Sequence, residues 1–172
     1  MANSIGIQRR HERRKYRQLV ELRPAYGSGN HGAEATRWVK GQHVLDVGCG
    51  DNSFIRGLRE LGSAGVGVDV ANPGADVCAA AHALPFPDHA FDVVVAFDVL
   101  EHLLPDEVDE VLAEFARVSW HYIFTICHRD SRGRCHGETL HPTVRPRRWW
   151  MERIGRLGKC KEHDRFLMGE WA

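Results

Sequence analysis

Apolar positions in this chain change period several times between residues 43 and 171, and the changes divide it into strands and helices. Residues 43–47 form a short apolar run suited to a buried strand. Residues 53–61 then put Phe54, Leu58 and Leu61 at helical spacing, with Ser53 in the capping position. Residues 65–70 (GVGVDV) return to a strand, 75–79 suggest a short third one, and 91–97 (FDVVVAF) are the most apolar of the set. Pro105 opens a helix that turns Val108, Val111, Leu112, Phe115 and Val118 inward, a first-turn position that suits proline. A fifth strand is expected over 120–127. Pro146 opens a further helix with Trp150, Ile154 and Leu157 on one face. Two short strands, 159–163 and 165–171, finish the chain.

Strands alternating with helices imply a mostly parallel sheet covered on both faces. The expected fold is therefore α/β: a Rossmann-like, doubly wound, mostly parallel sheet with flanking helices and a C-terminal antiparallel hairpin. Residues 1–41 read as a basic helical appendage, comprising a helix, a glycine-rich polar turn over 26–32 and a short helix near 33–40. The main domain would span 42–172. The turn reads equally as a plain linker or as a lid over a ligand, and as a lid it would bring Tyr26 and His31 to the substrate.

The most informative stretch is VLDVGCGDNSF, residues 44–54, in which a buried strand ends in a glycine-rich turn that opens a helix. Glycines let backbone pass close to a ligand, and the helix start offers free N–H groups. In open parallel sheets nucleotides bind at this carboxyl end. Gly48, Cys49 and Gly50 make that turn. Asp46, two residues before it, adds a carboxylate that can meet a cationic group such as an ammonium. Asp69 ends the next strand, at the spacing expected of an acid that accepts both ribose hydroxyls, although a turn cap is the other reading of the same residue.

The blocks VLDVGCG, GVGVDV and ALPFPDHAFDVVVAFDVLEHL, in that order within residues 43–128, resemble class I S-adenosylmethionine-dependent methyltransferases of the broad group acting mostly on small molecules. The resemblance implies S-adenosylmethionine as cofactor and methyl transfer as activity. It would set Asp46, Gly48, Cys49 and Gly50 along the methionine moiety, Asp69 on the ribose, and Val70, Ala83 and Leu84 around the adenine. Phe97 and Asp98 would face the sulfonium and the acceptor. The family often has an aspartate three residues before that alanine, where this chain has Ala80, so His82 or a backbone carbonyl would meet the adenine amino group instead. Glu101 and His102 match the family's Leu-Glu-His step and read mainly as polar partners of the following helix. His102 lies near enough to the cleft to be kept as an acceptor-side residue.

Acceptor contacts are expected from residues 125–150, which are unusually polar. His128, His136 and His141 are the candidate bases there, and Arg145, with Arg147 and Arg148, could grip a carboxylate or phosphate. A base is optional, because displacement from a sulfonium needs little beyond alignment and exclusion of water. The pairs Cys127-His128 and Cys135-His136, with His141, invite a zinc reading. Their adjacent spacing is wrong for common structural sites, and no metal is expected.

Composition narrows the field only slightly. Lys plus Arg equals Asp plus Glu, 23 each, so overall charge does not argue for nucleic acid. Residues 8–23 are nevertheless strongly basic, which reads as a solvated helix face or, less simply, as an anion-attracting surface. No run is long enough to span a membrane and the N-terminus lacks the apolar core of a signal peptide, so a cytoplasmic protein with five reduced cysteines is expected. An NAD-dependent enzyme would want a third glycine where Ser53 stands and would leave Asp46 unexplained. The reading is O- or N-methylation of a small-molecule or sugar-like acceptor. The alternatives are an RNA methyltransferase using the basic stretch and a non-catalytic cofactor-binding partner subunit.

Overall fold

The structure, a computed structural model, describes residues 2–23 and 32–172. Tyr26 and His31 lie outside the described residues. The elements in chain order are helix α1 (Ala2–Leu22), a 3-10 turn running into α2 (Thr36–Val39), β1 (His43–Val47), α3 (Ser53–Glu60), β2 (Ala64–Asp69), β3 (Val77–Cys78) and β4 (Phe91–Phe97). They continue with α4 (Val108–Val118), β5 (Ser119–Thr125), β6 (Arg134–Cys135), β7 (Glu138–Thr139), α5 (Arg147–Ile154), β8 (Gly158–His163) and β9 (Phe166–Trp171). Among these described residues no helix is long and apolar enough to cross a membrane.

Seven strands form one sheet in the order β3-β2-β1-β4-β5-β9-β8. The first five are parallel, and β9 and β8 add antiparallel beside β5 as the expected C-terminal hairpin. A separate two-stranded ribbon, β6-β7, stands apart from the sheet.

Side chains alternate between the two faces, and each face has its own core. Leu45, Val47, Val94, Ala96, Tyr122 and Phe124 pack with the inward faces of α4 and α5. Val44, Val93, Val95 and Ile123 pack with α2 and α3 on the other side. Both faces being covered explains why β4 reads as a continuous apolar run. All five expected inward residues of α4 are fully buried, each such aliphatic or aromatic side chain contributing about 1.5–3 kcal/mol.

Several local expectations need correction. Ser53 is the first residue of α3 and not its cap. Asn52 stands in the cap position in a left-handed conformation, and it is Asp51 Oδ1 that accepts the Ser53 N–H. The buried face of α3 is Phe54, Ile55 and Leu58, because the helix stops at Glu60 and leaves Leu61 half exposed. Leu157 likewise falls beyond the end of α5, which buries Trp150 and Ile154.

The basic N-terminal helix is not merely a solvated rod. Leu19 is buried against Cys135 and Leu140, with Tyr16 packed alongside. Lys15 is buried too, paired with Glu12 at 2.5 Å and donating to the Thr139 carbonyl at 3.1 Å. Arg9 pairs with Glu107 at 2.8 Å and also with Glu110. Of the lysines and arginines in residues 8–23, Arg10, Arg14, Arg17 and Arg23 are the exposed ones that the solvated reading described.

Phe115 sits between α4 and the sheet with its ring 5.7 Å from that of Phe124. Phe115→Ala should lower unfolding stability by about 3–5 kcal/mol, read as a reduced denaturant midpoint. A loss under 1 kcal/mol would mean that this layer is not packed as described.

Candidate active site

Strand order reverses between β1 and β4, and a crevice opens at their carboxyl ends. It holds a cavity of about 370 Å³, within the range of small-molecule sites. Ten of the residues singled out from sequence as ligand contacts line it: Asp46, Gly48, Cys49 and Gly50 from the end of β1, Asp69 and Val70 after β2, His82 after β3, Phe97 and Asp98 after β4, and His102.

The turn after β1 depends on its glycines. Gly48 has φ +75° and a Cβ there would fall 2.4 Å from Val99, while Gly50 has φ +54°. Gly48 has no room for a side chain and Gly50 holds a left-handed conformation that glycine adopts without strain, so bare backbone faces the cavity. Gly32, before α2, serves a similar end: a Cβ on it would lie 2.3 Å from the Phe97 ring. That ring packs edge-on to Phe54 at 5.2 Å.

Two carboxylates flank this backbone. Asp46 is buried, and burial first, then the charge of Asp69, pushes its carboxyl up to about 8. Asp69 accepts three backbone N–H bonds, from Gly50 at 3.1 Å and from Ala71 and Asn72 at 2.8 Å each. The turn-cap reading of Asp69 therefore holds. Oδ2 accepts one of those bonds and Oδ1 two, which leaves carboxylate capacity for a hydroxyl at the cavity edge. Cys49, between the glycines, is held well above the usual thiol range, chiefly by burial and next by Asp46.

The other expected residues lie elsewhere. Ala83 and Leu84 do not line the cavity. Leu84 is buried in the core with its N–H given to Glu114, and Ala83 turns back to bridge Ala80. The wall is made instead by residues 79–82, including Ala80 and His82. Burial, followed by the charge of Arg9, lowers the His82 pKa.

None of the three candidate bases lines the cavity. His128 Nδ1 lies 3.1 Å from the Arg145 carbonyl, and exposed His136 bonds Gln18 at 3.0 Å on the outer side of α1. His141 sits one layer behind His102, with the rings edge to face at 4.7 Å. Arg145 stays beside Trp149, and Arg147 pairs with Glu162 of β8, so neither reaches the cavity. The two Cys-His pairs do not converge either: Cys135 is buried against α1, while Cys127 turns toward Arg129.

Sequence reasoning missed the wall built by α1. Arg9, Arg13, Tyr16 and Val20 line the cavity, together with Glu12. Their spacing of four, three and four residues is one helical face, a pattern the count of basic residues concealed. Tyr16 Oη lies 2.8 Å from His102 Nδ1 and donates to the Leu140 carbonyl at 2.9 Å. Burial brings His102 down to about 4, so its imidazole is neutral, and pushes Glu101 behind it up to about 8.

Residues 45–119 match the methyltransferase domain family. The match covers less than half of the chain; it and the fold are similar to those of class I S-adenosylmethionine-dependent methyltransferases, whose cofactor is S-adenosylmethionine. Among curated proteins it is similar to the ubiquinone biosynthesis O-methyltransferase of Azorhizobium caulinodans, 36% identical over 89 residues that cover 42% of this chain. The matched segment spans only 35% of that relative's length. Among solved structures it is similar to the Burkholderia thailandensis 1,6-didemethyltoxoflavin-N1-methyltransferase, bound to 1,6-didemethyltoxoflavin and S-adenosylhomocysteine. That likeness has a TM-score of 0.68 and 16% identity and covers 86% of this chain and 80% of the other. A TehB-like methyltransferase of Corynebacterium glutamicum gives 0.61 and 17%, over 93% and 97%. At these identities the structural likenesses speak to fold.

The site residues suit the cofactor. Acids at both ends match an ammonium and a ribose diol, the glycine turn admits close approach, and small apolar residues at 79–81 leave a flat wall.

Asp46 generates a prediction about pH. A carboxyl whose folded pKa lies above its unfolded value near 3.9 stabilises the fold at low pH, and that contribution is lost as pH rises toward 8. Without ligand, Asp46→Asn should therefore be more stable than the parent at pH 8, by on the order of 2 kcal/mol, with the gap closing toward pH 4. Thermal unfolding across that range checks it, and an equal or lower Tm for the variant at pH 8 would contradict it.

Proposed function

We propose that the chain transfers the methyl group of S-adenosylmethionine to an O or N atom of a small-molecule or sugar-like acceptor. The observation that carries this reading is the single cavity shared by Asp46, the Gly48–Gly50 backbone and Asp69 on one side and by Tyr16, Asp98 and His102 on the other. The first group suits a cofactor and the second suits a polar acceptor.

In this reading Asp46 holds the ammonium, the glycine turn follows the methionine chain and Asp69 takes the ribose. Residues 79–82 wall the adenine in place of Ala83 and Leu84. S-adenosylmethionine, when bound, would supply a methyl on a cationic sulfur: an acceptor O or N would bond to that carbon in line as the carbon–sulfur bond breaks, with S-adenosylhomocysteine as the neutral leaving group and the acceptor's proton passing to solvent. The chain's work is alignment and exclusion of water. Phe97 and the α1 face narrow the cavity around the reacting atoms. His128, His136 and His141 are not assigned as bases, because none borders the cavity. The match to an O-methyltransferase and the fold shared with an enzyme that binds a small heterocycle support a small acceptor.

We also infer that α1 is a wall of the acceptor side and not an independent appendage, its exposed arginines facing away from the site. Nucleic acid would have to be recruited by that outer stripe.

The test incubates purified protein with methyl-labelled S-adenosylmethionine and cell extract separated into small molecules, polysaccharide, RNA and protein. Label should enter the small-molecule or sugar fraction and vanish with Asp69→Ala. Calorimetry on the same variant should show cofactor affinity lost, with far-UV circular dichroism unchanged. Normal affinity in Asp69→Ala would sink the site assignment, and label in RNA or protein would sink the acceptor class.

A further inference from the structure

Behind the cavity wall, Glu101, His102 and His141 converge. One carboxylate oxygen and one ring nitrogen from each histidine lie within 4.8 Å of one another. Ligand atoms each about 2.1 Å from a common ion stand roughly 3–4 Å apart, so only small side-chain movements separate this arrangement from a coordination site.

Glu101 is fully buried. Its Oε1 accepts the Cys127 N–H at 3.1 Å, whereas its Oε2 is buried with no hydrogen-bond partner. Such an oxygen is costly unless something completes it. It stands beside two imidazoles and bonds to neither.

The histidines are prepared in a way that hydrogen bonding alone does not require. His102 Nδ1 lies 2.6 Å from the Leu140 carbonyl, and His141 Nδ1 lies 2.7 Å from the Arg129 carbonyl. A carbonyl only accepts, so both Nδ1 atoms carry the proton and both Nε2 atoms keep their lone pairs. Metal-binding histidines are oriented this way, the second nitrogen donating to a carbonyl and fixing the tautomer. Tyr16, bonded to the same Leu140 carbonyl, strengthens the frame around His102.

We propose that Glu101, His102 and His141 bind one divalent transition-metal ion of the zinc, cobalt, iron or manganese class. Two neutral imidazoles and one carboxylate leave coordination positions open, and the donor set suits these ions better than magnesium or calcium. His102 borders the cavity, so an oxygen of a molecule held there would have access to the ion. That last step rests on the methyl-transfer reading, while the binding of the ion does not. The residues differ from the adjacent Cys-His pairs that sequence spacing suggests and dismisses. Only His141 is shared.

The test uses the full chain, freed of metal by chelation and kept reduced, with calorimetric titration of Zn²⁺. One ion should bind per chain. His141→Ala should weaken this at least tenfold, as removal of a ligand does, and so should Glu101→Gln. His136→Ala, an exposed histidine outside the cluster, should leave binding unchanged. Circular dichroism and S-adenosylmethionine affinity of His141→Ala report whether the fold and cavity survive. If they do not, His141→Gln carries the comparison. Equal Zn²⁺ affinity in the parent and the His141 variant, or no binding to the parent at all, would overturn the site without touching the cofactor assignment. Loss of cofactor affinity in Asp69→Ala with the Zn²⁺ result intact would separate the two claims from the other side.

Discussion

Asp46 is buried at the tip of a central strand, where desolvation disfavours its charge and the nearby Asp69 carboxylate disfavours it further. Among the described residues it forms no ion pair. A protein selected for stability alone would place an apolar side chain there, as it does at Leu45 and Val47 on either side. The position makes sense when a cation enters the cavity and returns the carboxyl to its ionised form. The other features of this end of the sheet serve that entry. Gly48 and Gly50 keep side chains out of the way, Val99 closes the space behind Gly48, and Asp69 ties the second loop to the first through the Gly50 N–H.

The two sides of the cavity are built on different principles. On the side of the strand ends, backbone geometry and short side chains do the shaping, and the sheet holds them rigidly. On the opposite side the shaping falls to long side chains of α1, the 3-10 turn carrying Glu101 and His102, and the segment that includes Leu140 and His141. Those parts hold one another: Tyr16 reaches both His102 and Leu140, and Lys15 reaches Thr139. The first side is fixed by the sheet, while the second can change its side chains without disturbing the sheet.

This division also explains what could be read from the sequence. His43–Val47 and Phe91–Phe97 are delimited correctly because their apolar runs are dictated by burial on both faces. The glycine turn and the two acids are legible because close backbone approach restricts residue choice severely. Ala83 and Leu84 went astray by a few positions, since a loop without periodicity offers no register, and the Ala80–Ala83 bridge turns Leu84 into the core. His128 and Arg145 went astray for a related reason. Their chemistry was visible but their direction was not, and direction there is set by Trp149 and local carbonyls. The inner face of α1 was legible in principle at Arg9, Arg13, Tyr16 and Val20. Its charge drew attention to what the helix repels or attracts, when its periodicity was the better guide to where it lies.

The attachment of α1 determines how the cavity can open. Its apolar anchor is small, Leu19 and Tyr16 against Cys135 and Leu140; its ion pair to Glu107 is largely buried, and its pair to Glu110 is partly exposed. An exposed pair such as that to Glu110 contributes about 0–1 kcal/mol. The sheet, by contrast, is held by two extensive cores. Fewer apolar contacts join α1 to the rest than join the strands to their helices, so a displacement of α1 would uncover that side of the cavity while leaving Asp46, Gly48 and Asp69 where the strands fix them. The same displacement would break the contact of Tyr16 with His102 and release the Leu140 carbonyl, so access to the cavity and the order of the histidine cluster behind it are coupled through one side chain.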